Sequence, residues 1–412
     1  MSRNSDTRLW PPLRLPLNGL SMLALHGLVL HHALLLIRLR KAVLFAPCLA
    51  FAYYLVAAGC AVNFSRRRGV RRPAYTPPVS IFKPVRGLDR EAYENFASFC
   101  RLDYAEYEVL FGVADANDPA VPVIRKLIQD FPDCPIRLMT GMRRHGPNEK
   151  ASILAHLARQ AKHDLLVISD SDTRVDPGCL RDVAAPFADA QVGLVTCLYR
   201  GERQETLADA IEAVGISSDF FAGVFVAEQF AGAQFALGAT MAVPRARLDA
   251  IGGFEALSDY LLDDYELGRR VAETGFRVEL IPHTVSMVLP AETLRGYWRR
   301  QLRWAVGVRN SRPWGHLGLL MTQGLPLTLA AVLASHSLRE SCLYLAAYLA
   351  TRGIMTWAVG ARGLQDPDWL KNCWLAPARD GLAFCAWAAS LRHSRVNWRG
   401  DGFYVRKGRL IA

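Results

Sequence analysis

The sequence predicts an α/β protein whose mainly parallel sheet is held between apolar segments of membrane-spanning length. Two observations carry that prediction. From residue 79 onward, short branched apolar runs alternate with longer helical stretches, the pattern of strands joined by crossover helices. In addition, hydrophobic residues make up 51% of the 412 and gather at the two ends of the chain.

The central elements follow in order. VSIFKPV (79–85) reads as a strand, with a helix near Arg90 to Cys100. YEVLFGVAD (107–115) is a second strand that ends in acid, followed by a helix near 119–131. IRLMTG (136–141) is a strand and Lys150 to Lys162 reads helical. LLVIS (165–169) has the branched apolar character of a buried strand and runs straight into Asp170-Ser171-Asp172. A helix at 176–189 and the strand VGLVTCLY (192–199) complete the clear pattern. Ligands of such sheets bind beyond the carboxyl ends of the strands, where Asp115 and Asp170 stand. Neither a G-x-G-x-x-G nor a Walker loop occurs, so those dinucleotide and phosphate signatures are excluded.

At the N-terminal end, residues 42–63 form an uncharged stretch long enough to cross a bilayer core of roughly 30 Å. Arg66, Arg67, Arg68, Arg71 and Arg72 follow at once and mark the cytoplasmic side. The apolar stretch at 15–37 contains His26, His31 and His32 and is cut off by Arg38, Arg40 and Lys41. A hairpin would leave those three charges in a non-cytoplasmic loop, so this stretch reads as interfacial. No small-residue cleavage site stands out, and a removed signal peptide is not expected. Near the C-terminus, 315–335, 341–360 and 375–391 are apolar; two crossings plus one in-plane helix return a basic tail to the cytoplasm. Arg352 inside the second of these is costly in lipid unless it faces protein. The expected organisation is an N-terminal segment (1–41), a membrane helix (42–65), a cytoplasmic catalytic domain (66–292), an arginine-rich interfacial segment (293–314), membrane helices (315–391) and a basic tail (392–412).

Much of the net charge of +11 lies beside these segments, where it orients the chain and attracts anionic lipid. No basic stripe with interleaved aromatics occurs in the central domain, so nucleic acid is not an expected partner. The nine cysteines are scattered, against both a zinc site and a disulfide framework.

The acids form a set. Asp115 and Asp118 follow the second strand, Asp170 and Asp172 the fourth, and Asp263 and Asp264 open a helix in LLDDYELG. YWRRQLRWAVGVR then presents Arg299, Arg300, Arg303 and Trp304. Singly, each has an ordinary explanation: Asp118-Pro119 as a helix start, Asp263 and Asp264 as helix caps, and the arginines as a surface anchor. Their order along one chain is what points to a site.

VADANDPA (113–120), HGPNEK (145–150), DSD (170–172), GLVTCLYRG (193–201), GATMAVPR (238–245), IGGFEAL (251–257), LDDYELG (262–268) and RQLRW (300–304) together resemble the ceramide glucosyltransferase family, glycosyltransferase family 21, and its bacterial relatives that glycosylate hopanoid lipids. The resemblance covers roughly residues 45 to 410. It implies a GT-A fold, a UDP-sugar donor carrying glucose or N-acetylglucosamine, and inverting transfer to a hydroxyl of a membrane lipid. Ceramide is the first expected acceptor and a hopanoid the alternative. The protein would be an integral membrane protein, in a bacterial inner membrane, with its catalytic domain in the cytoplasm.

Roles follow from that implied chemistry. A diphosphate leaves with growing negative charge, which Mg²⁺ or Mn²⁺ held by oxygen ligands neutralises. Asp172 is the first metal ligand expected, with Asp170 sharing the ion or facing the ribose. Asp115 resembles the family aspartate that contacts uridine, and Lys150 the lysine that meets nucleotide or phosphate. Inversion needs a base opposite the leaving group, and Asp264 matches it, with Asp263 orienting it. Arg300 and Arg303, three apart on one helical face, would steady the departing diphosphate, with Trp304 near the sugar or acceptor. Phe220, Phe221, Phe225 and Phe230 read either as core or as a membrane-facing acceptor groove. A processive polysaccharide synthase would carry Gln where this chain has Arg300, and a non-enzymatic membrane scaffold would lack the acids.

Overall fold

The computed structural model describes residues 18–69, 73–398 and 401–411, with side chains from residue 28. Arg71, Arg72 and the beginning of the 15–37 stretch lie outside the described residues. The expected strands are present: β1 (Val79–Val85), β2 (Tyr107–Val113), β3 (Ile136–Thr140) and β4 (Leu165–Ser169). With β5 (Thr173–Arg174), β6 (Val192–Glu202), β7 (Thr240–Pro244) and β8 (Arg277–Val288) they form one sheet in the order β3-β2-β1-β4-β7-β6-β8-β5. β1 to β4 pair in parallel, as do β6 and β8. β7 runs antiparallel between β4 and β6, and β5 antiparallel on β8, which makes the sheet mixed. The two late strands are hard to read from sequence. β7 is five residues long, and the pairing of β8 with β6 shifts register near Pro282.

Alternate residues of the strands fill two apolar layers. Phe82, Leu110, Leu166 and Ile168 pack with Leu154 and Leu157 on one face. Ile81, Val109, Phe111 and Val167 pack with Phe96 and Ile124 on the other. Burial on both faces is why β1 and β4 are mostly apolar, with Ser80 and Lys83 of β1 buried among them.

The N-terminal helix, Asn18–Ser65, runs without a break through Arg38 to Lys41, so the expected division after residue 41 is not a break in structure. Among the described residues three helices are long and apolar enough to cross a membrane: Leu28–Ser65, Leu207–Ala231 and Leu338–Leu364. The middle one was not expected, and 72% of its apolar window is buried inside the protein. The 315–335 segment is two helices, Pro313–Thr322 and Gly324–Ala334, bent by 53°. Arg352 does face protein: it pairs with Asp380 at 2.7 Å and donates to the Ser218 carbonyl at 3.1 Å.

Phe221 and Phe225 are fully buried, their rings against Tyr199 and Phe64, which agrees with the core reading of the two left open by the sequence; Phe220 and Phe230 are exposed. The basic tail is a folded antiparallel sheet of Arg395–Trp398, Asp401–Arg406 and Arg409–Ile411. Phe403 and Val405 alternate with exposed Tyr404 and Arg406. The buried set packs on Leu261 and Val306, and Leu410 N–H donates to the Asp259 carbonyl at 2.7 Å.

Candidate active site

A cavity of about 470 Å³ opens beyond the carboxyl end of β4. Lys150, Asp170, Asp172, Asp263, Asp264, Arg300, Arg303 and Trp304, eight residues expected from the sequence, all line it. The DSD segment is a turn as well as a site. Thr173 N–H donates to the Asp170 carbonyl at 3.1 Å, and the chain then enters β5. Under the turn, the fully buried Lys83 of β1 donates to the same carbonyl at 2.5 Å and lies 4.0 Å over the Phe99 ring. Burial pushes its ammonium down to about 7, against the pull of Asp172 and Asp170.

HGPNEK joins the two acid pairs. Asn148 caps the helix Glu149–Gln160 by accepting from Ala151 N–H at 3.0 Å. Its amide nitrogen donates to the Tyr260 carbonyl at 2.8 Å and to Asp263 at 3.3 Å. Lys150, in the first turn of that helix, is therefore 2.6 Å from Asp170 and 3.8 Å from Asp263. Burial works against its charge, but Asp170, Asp263 and Asp264 outweigh burial and hold it above the ordinary lysine range.

Asp264 accepts from Gly238 N–H at 3.0 Å through Oδ2 and from Tyr265 N–H at 2.7 Å through Oδ1. The Gly238 segment is fixed in turn by Thr196, whose hydroxyl accepts from Leu237 N–H at 2.9 Å. A Cβ on Gly238 would stand 3.0 Å from Asp264 Oδ2, 3.2 Å from Asp170 Oδ2 and 3.3 Å from Lys150 Nζ. That crowding gives GATMAVPR a steric reason for its first residue. Burial, then the charge of Asp263, pushes Asp264 up to about 6, with Lys150 opposing.

The helix Leu294–Ser311 closes the other side. Arg300 is ion-paired with Glu212 and lies 2.7 Å from Glu292. Two carboxylates thus hold the guanidinium expected to face a diphosphate, and Arg303 one turn on lines the cavity beside Trp304. Glu212 and Glu292 were missed from the sequence. The available signal was a lone glutamate inside the apolar helix Leu207–Gly215, where a buried carboxylate requires a cation. Asp401 and Phe403 of the C-terminal sheet form part of the wall, with Asp401 3.4 Å from Arg86 and 3.3 Å from Arg144.

Asp115 stands apart. It is exposed at the end of β2, accepts from Asn117 N–H at 2.9 Å and is not among the cavity-lining residues. Asp118 behaves as a helix start, accepting from Ala120 N–H at 2.8 Å and Gly87 N–H at 2.7 Å. Among the described residues no three His, Cys, Asp or Glu side chains converge as a metal set. Asp170 and Asp172 nevertheless fit a hard divalent cation, because Mg²⁺ or Mn²⁺ takes one or two carboxylates and fills its other positions with diphosphate oxygens and water.

The model of Glycosyl transferase family 21 matches residues 43–411. Ceramide glucosyltransferase 1 of Caenorhabditis elegans is 25% identical over 293 residues, 71% of this chain and 59% of that protein. Ceramide glucosyltransferase 3 of the same organism is 26% identical over 258 residues, 62% of this chain and 56% of that protein. The chain thus spans somewhat more than half the length of these curated relatives. A mannosyltransferase from Pyrobaculum calidifontis, solved with GDP-Man and Mn²⁺, is 20% identical at a TM-score of 0.47, covering 84% of this chain and 99% of that one. With a family match running from the N-terminal helix to the last strand, the chain belongs to glycosyl transferase family 21.

Proposed function

We propose that this protein transfers glucose or N-acetylglucosamine from a UDP-sugar to a hydroxyl of a membrane lipid, with inversion at the anomeric carbon. Ceramide is the first expected acceptor, in keeping with the names of the relatives, and a hopanoid is the second. The observation that carries the reading is the convergence of Asp264, Lys150 and Asp170 in one cavity walled by the arginine helix.

Asp264 takes the proton of the acceptor hydroxyl as its oxygen bonds to the anomeric carbon. The bond from that carbon to the β-phosphate oxygen breaks, and UDP leaves with the electron pair. A carboxylate whose affinity for protons is raised toward neutrality is a stronger base than an ordinary aspartate. Gly238 N–H holds it in one orientation. Lys150 and Arg303 place positive charge where the diphosphate gains negative charge. A divalent cation bound at Asp172 and Asp170 would neutralise the same oxygens. Arg300, gripped by Glu212 and Glu292, fixes the helix that presents Arg303 and Trp304. The catalytic domain faces the cytoplasm, as Arg66, Arg67 and Arg68 directly after the N-terminal helix indicate.

The test is to incubate the purified protein in detergent with UDP-glucose or UDP-N-acetylglucosamine and either ceramide or bacteriohopanetetrol, reading products by mass spectrometry. A glycosylated lipid is expected. Extension of soluble glycans alone, with no lipid product, overturns the proposal.

A further inference from the structure

The last residues of the chain, which the sequence presents only as a basic tail, fold against the active-site cavity. Arg406-Lys407-Gly408-Arg409 is a tight hairpin in which Arg406 pairs with Arg409. Lys407 and Gly408 have φ of 50° and 77°, both positive as a two-residue type I′ turn requires. The turn sets Asp401–Arg406 beside Arg409–Ile411, and Phe403, Val405 and Leu410 pack together on Leu261 and Val306. Asn397, Asp401 and Phe403 line the cavity itself.

The last strand bonds to the segment that leads into Asp263 and Asp264. Leu410 N–H donates to the Asp259 carbonyl at 2.7 Å, and Leu261 N–H donates to the Gly408 carbonyl at 3.1 Å. The alternate residues are held by Asn148: its backbone N–H donates to the Ser258 carbonyl at 2.8 Å and its side-chain amide to the Tyr260 carbonyl at 2.8 Å. Four consecutive residues are thus fixed, two by the C-terminal strand and two by the HGPNEK segment. The helix Asp263–Glu273 starts directly afterwards, and Leu262 at its N-cap offers no side-chain hydrogen bond. Its first turn is therefore placed by the segment before it and by the contacts of its two acids.

The same sheet is tied to the arginine helix. Arg309, on the helix Leu294–Ser311 that carries Arg300, Arg303 and Trp304, donates to the Leu391 carbonyl at 2.9 Å and the His393 carbonyl at 2.8 Å. These carbonyls lie just before the first strand of the sheet. We propose that the C-terminal sheet is a positioning element of the active site. It sets the first turn of the Asp263–Glu273 helix relative to the arginine helix, and Leu410 N–H is the contact that transmits the placement. Lys150 and Asp170 stand on other elements, so donor contacts do not depend on it. This rests on the transferase reading above, in which Asp264 takes the acceptor proton, and adds which part of the chain places that carboxylate.

The experiment uses the full chain and compares Leu410→Pro with Leu410→Ala. Both lose the packing of the leucine, and only proline loses the N–H that bonds Asp259. The readouts are hydrogen–deuterium exchange of peptides covering 258–268 and the kinetics of lipid glycosylation. Relative to alanine, proline should speed exchange there by about fivefold or more, the scale of one lost hydrogen bond. It should lower kcat by about tenfold or more, because small misplacements of catalytic groups are costly. UDP affinity, measured by calorimetry, should hold in both. Where the proline variant does not fold, Arg309→Met decides: it releases the sheet from the arginine helix and must lower kcat with UDP affinity held. Equal exchange or equal kcat in the two Leu410 variants, or wild-type kcat in Arg309→Met, overturns the positioning role. No lipid product from the wild type overturns the transferase reading instead, and the exchange comparison then still decides whether the strand holds the acid segment.

Discussion

Two buried charge clusters in this protein are built on opposite plans. Within the helical bundle, Arg352 meets Asp380 at 2.7 to 3.2 Å, donates to Thr356 at 3.1 Å and to Ser218, and Tyr348 hydroxyl completes Asp380 at 2.8 Å. One cation faces one anion and the hydrogen bonds close around them. At the cavity, a single ammonium on Lys150 faces the carboxylates of Asp170, Asp263 and Asp264. Negative charge is in excess there, and burial together with the charge of Asp263 pushes the Asp264 carboxyl up to about 6. The balanced cluster holds helices together. The unbalanced one is a place where a ligand's charge or proton completes the balance.

The sharpest way to break that contrast is to neutralise one member of each. Asp264→Asn should lower sugar transfer by about 10³–10⁴-fold, the upper range for loss of a general base. UDP binding should persist, measured by calorimetry. Its thermal midpoint in detergent should rise at neutral pH. The sign follows from linkage: Asp264 binds its proton more tightly folded than unfolded, so its stabilising contribution is present at low pH and lost as pH rises through about 6. Asparagine removes that loss. Asp380→Ala should do the reverse, destabilising by about 3–5 kcal/mol because Arg352 is left buried and unpaired. The surviving folded enzyme should keep its donor KM. A drop in midpoint for Asp264→Asn, or none for Asp380→Ala, would erase the distinction.

The pH profile is the next effect in size. Transfer needs Asp264 deprotonated, so kcat/KM should fall about tenfold per pH unit below an apparent value near 6 and level off above it. A limb near the ordinary aspartate value would mean that burial and Asp263 do not act on the base as argued.

The same contrast explains what could be read from sequence. In the β1 to β4 half, β1, β2 and β4 were legible because both faces of those strands are buried and their residues are mostly apolar. The acids at its edge were legible because they follow such runs directly, and Lys150 because HGPNEK resembles a known motif. Glu212 and Glu292 were not legible, since each is defined by Arg300, which lies 88 residues beyond Glu212 in sequence. Nor was Lys83: inside VSIFKPV it looks like any strand lysine, and only the fold places the Asp170 carbonyl over it. The C-terminal sheet was hidden by its arginines and lysine, which sit on exposed positions while Phe403, Val405 and Leu410 supply the packing. Asp115, the carboxylate expected at the end of β2, stands exposed there and outside the cavity lining.

The smallest effect separates the regions through two glycines. A methyl group on Gly238 would meet Asp264 Oδ2 at 3.0 Å, Asp170 Oδ2 at 3.2 Å and Lys150 Nζ at 3.3 Å, so each must give by a few tenths of an ångström. Those groups are tied to one another and to backbone, so Gly238→Ala should lower kcat by about tenfold, since small misplacements of catalytic groups are costly. Gly353 adjoins Arg352 in the helix Leu338–Trp357, yet a Cβ there meets nothing within 4 Å. Gly353→Ala should leave kcat unchanged and raise the thermal midpoint slightly, because alanine favours a helix over glycine by about 1 kcal/mol. Side-by-side kinetics and melting of the two variants would show whether crowding is confined to the unbalanced cluster. Equal kinetic loss in both would mean that the bundle transmits strain to the cavity, and the two clusters would then be one device.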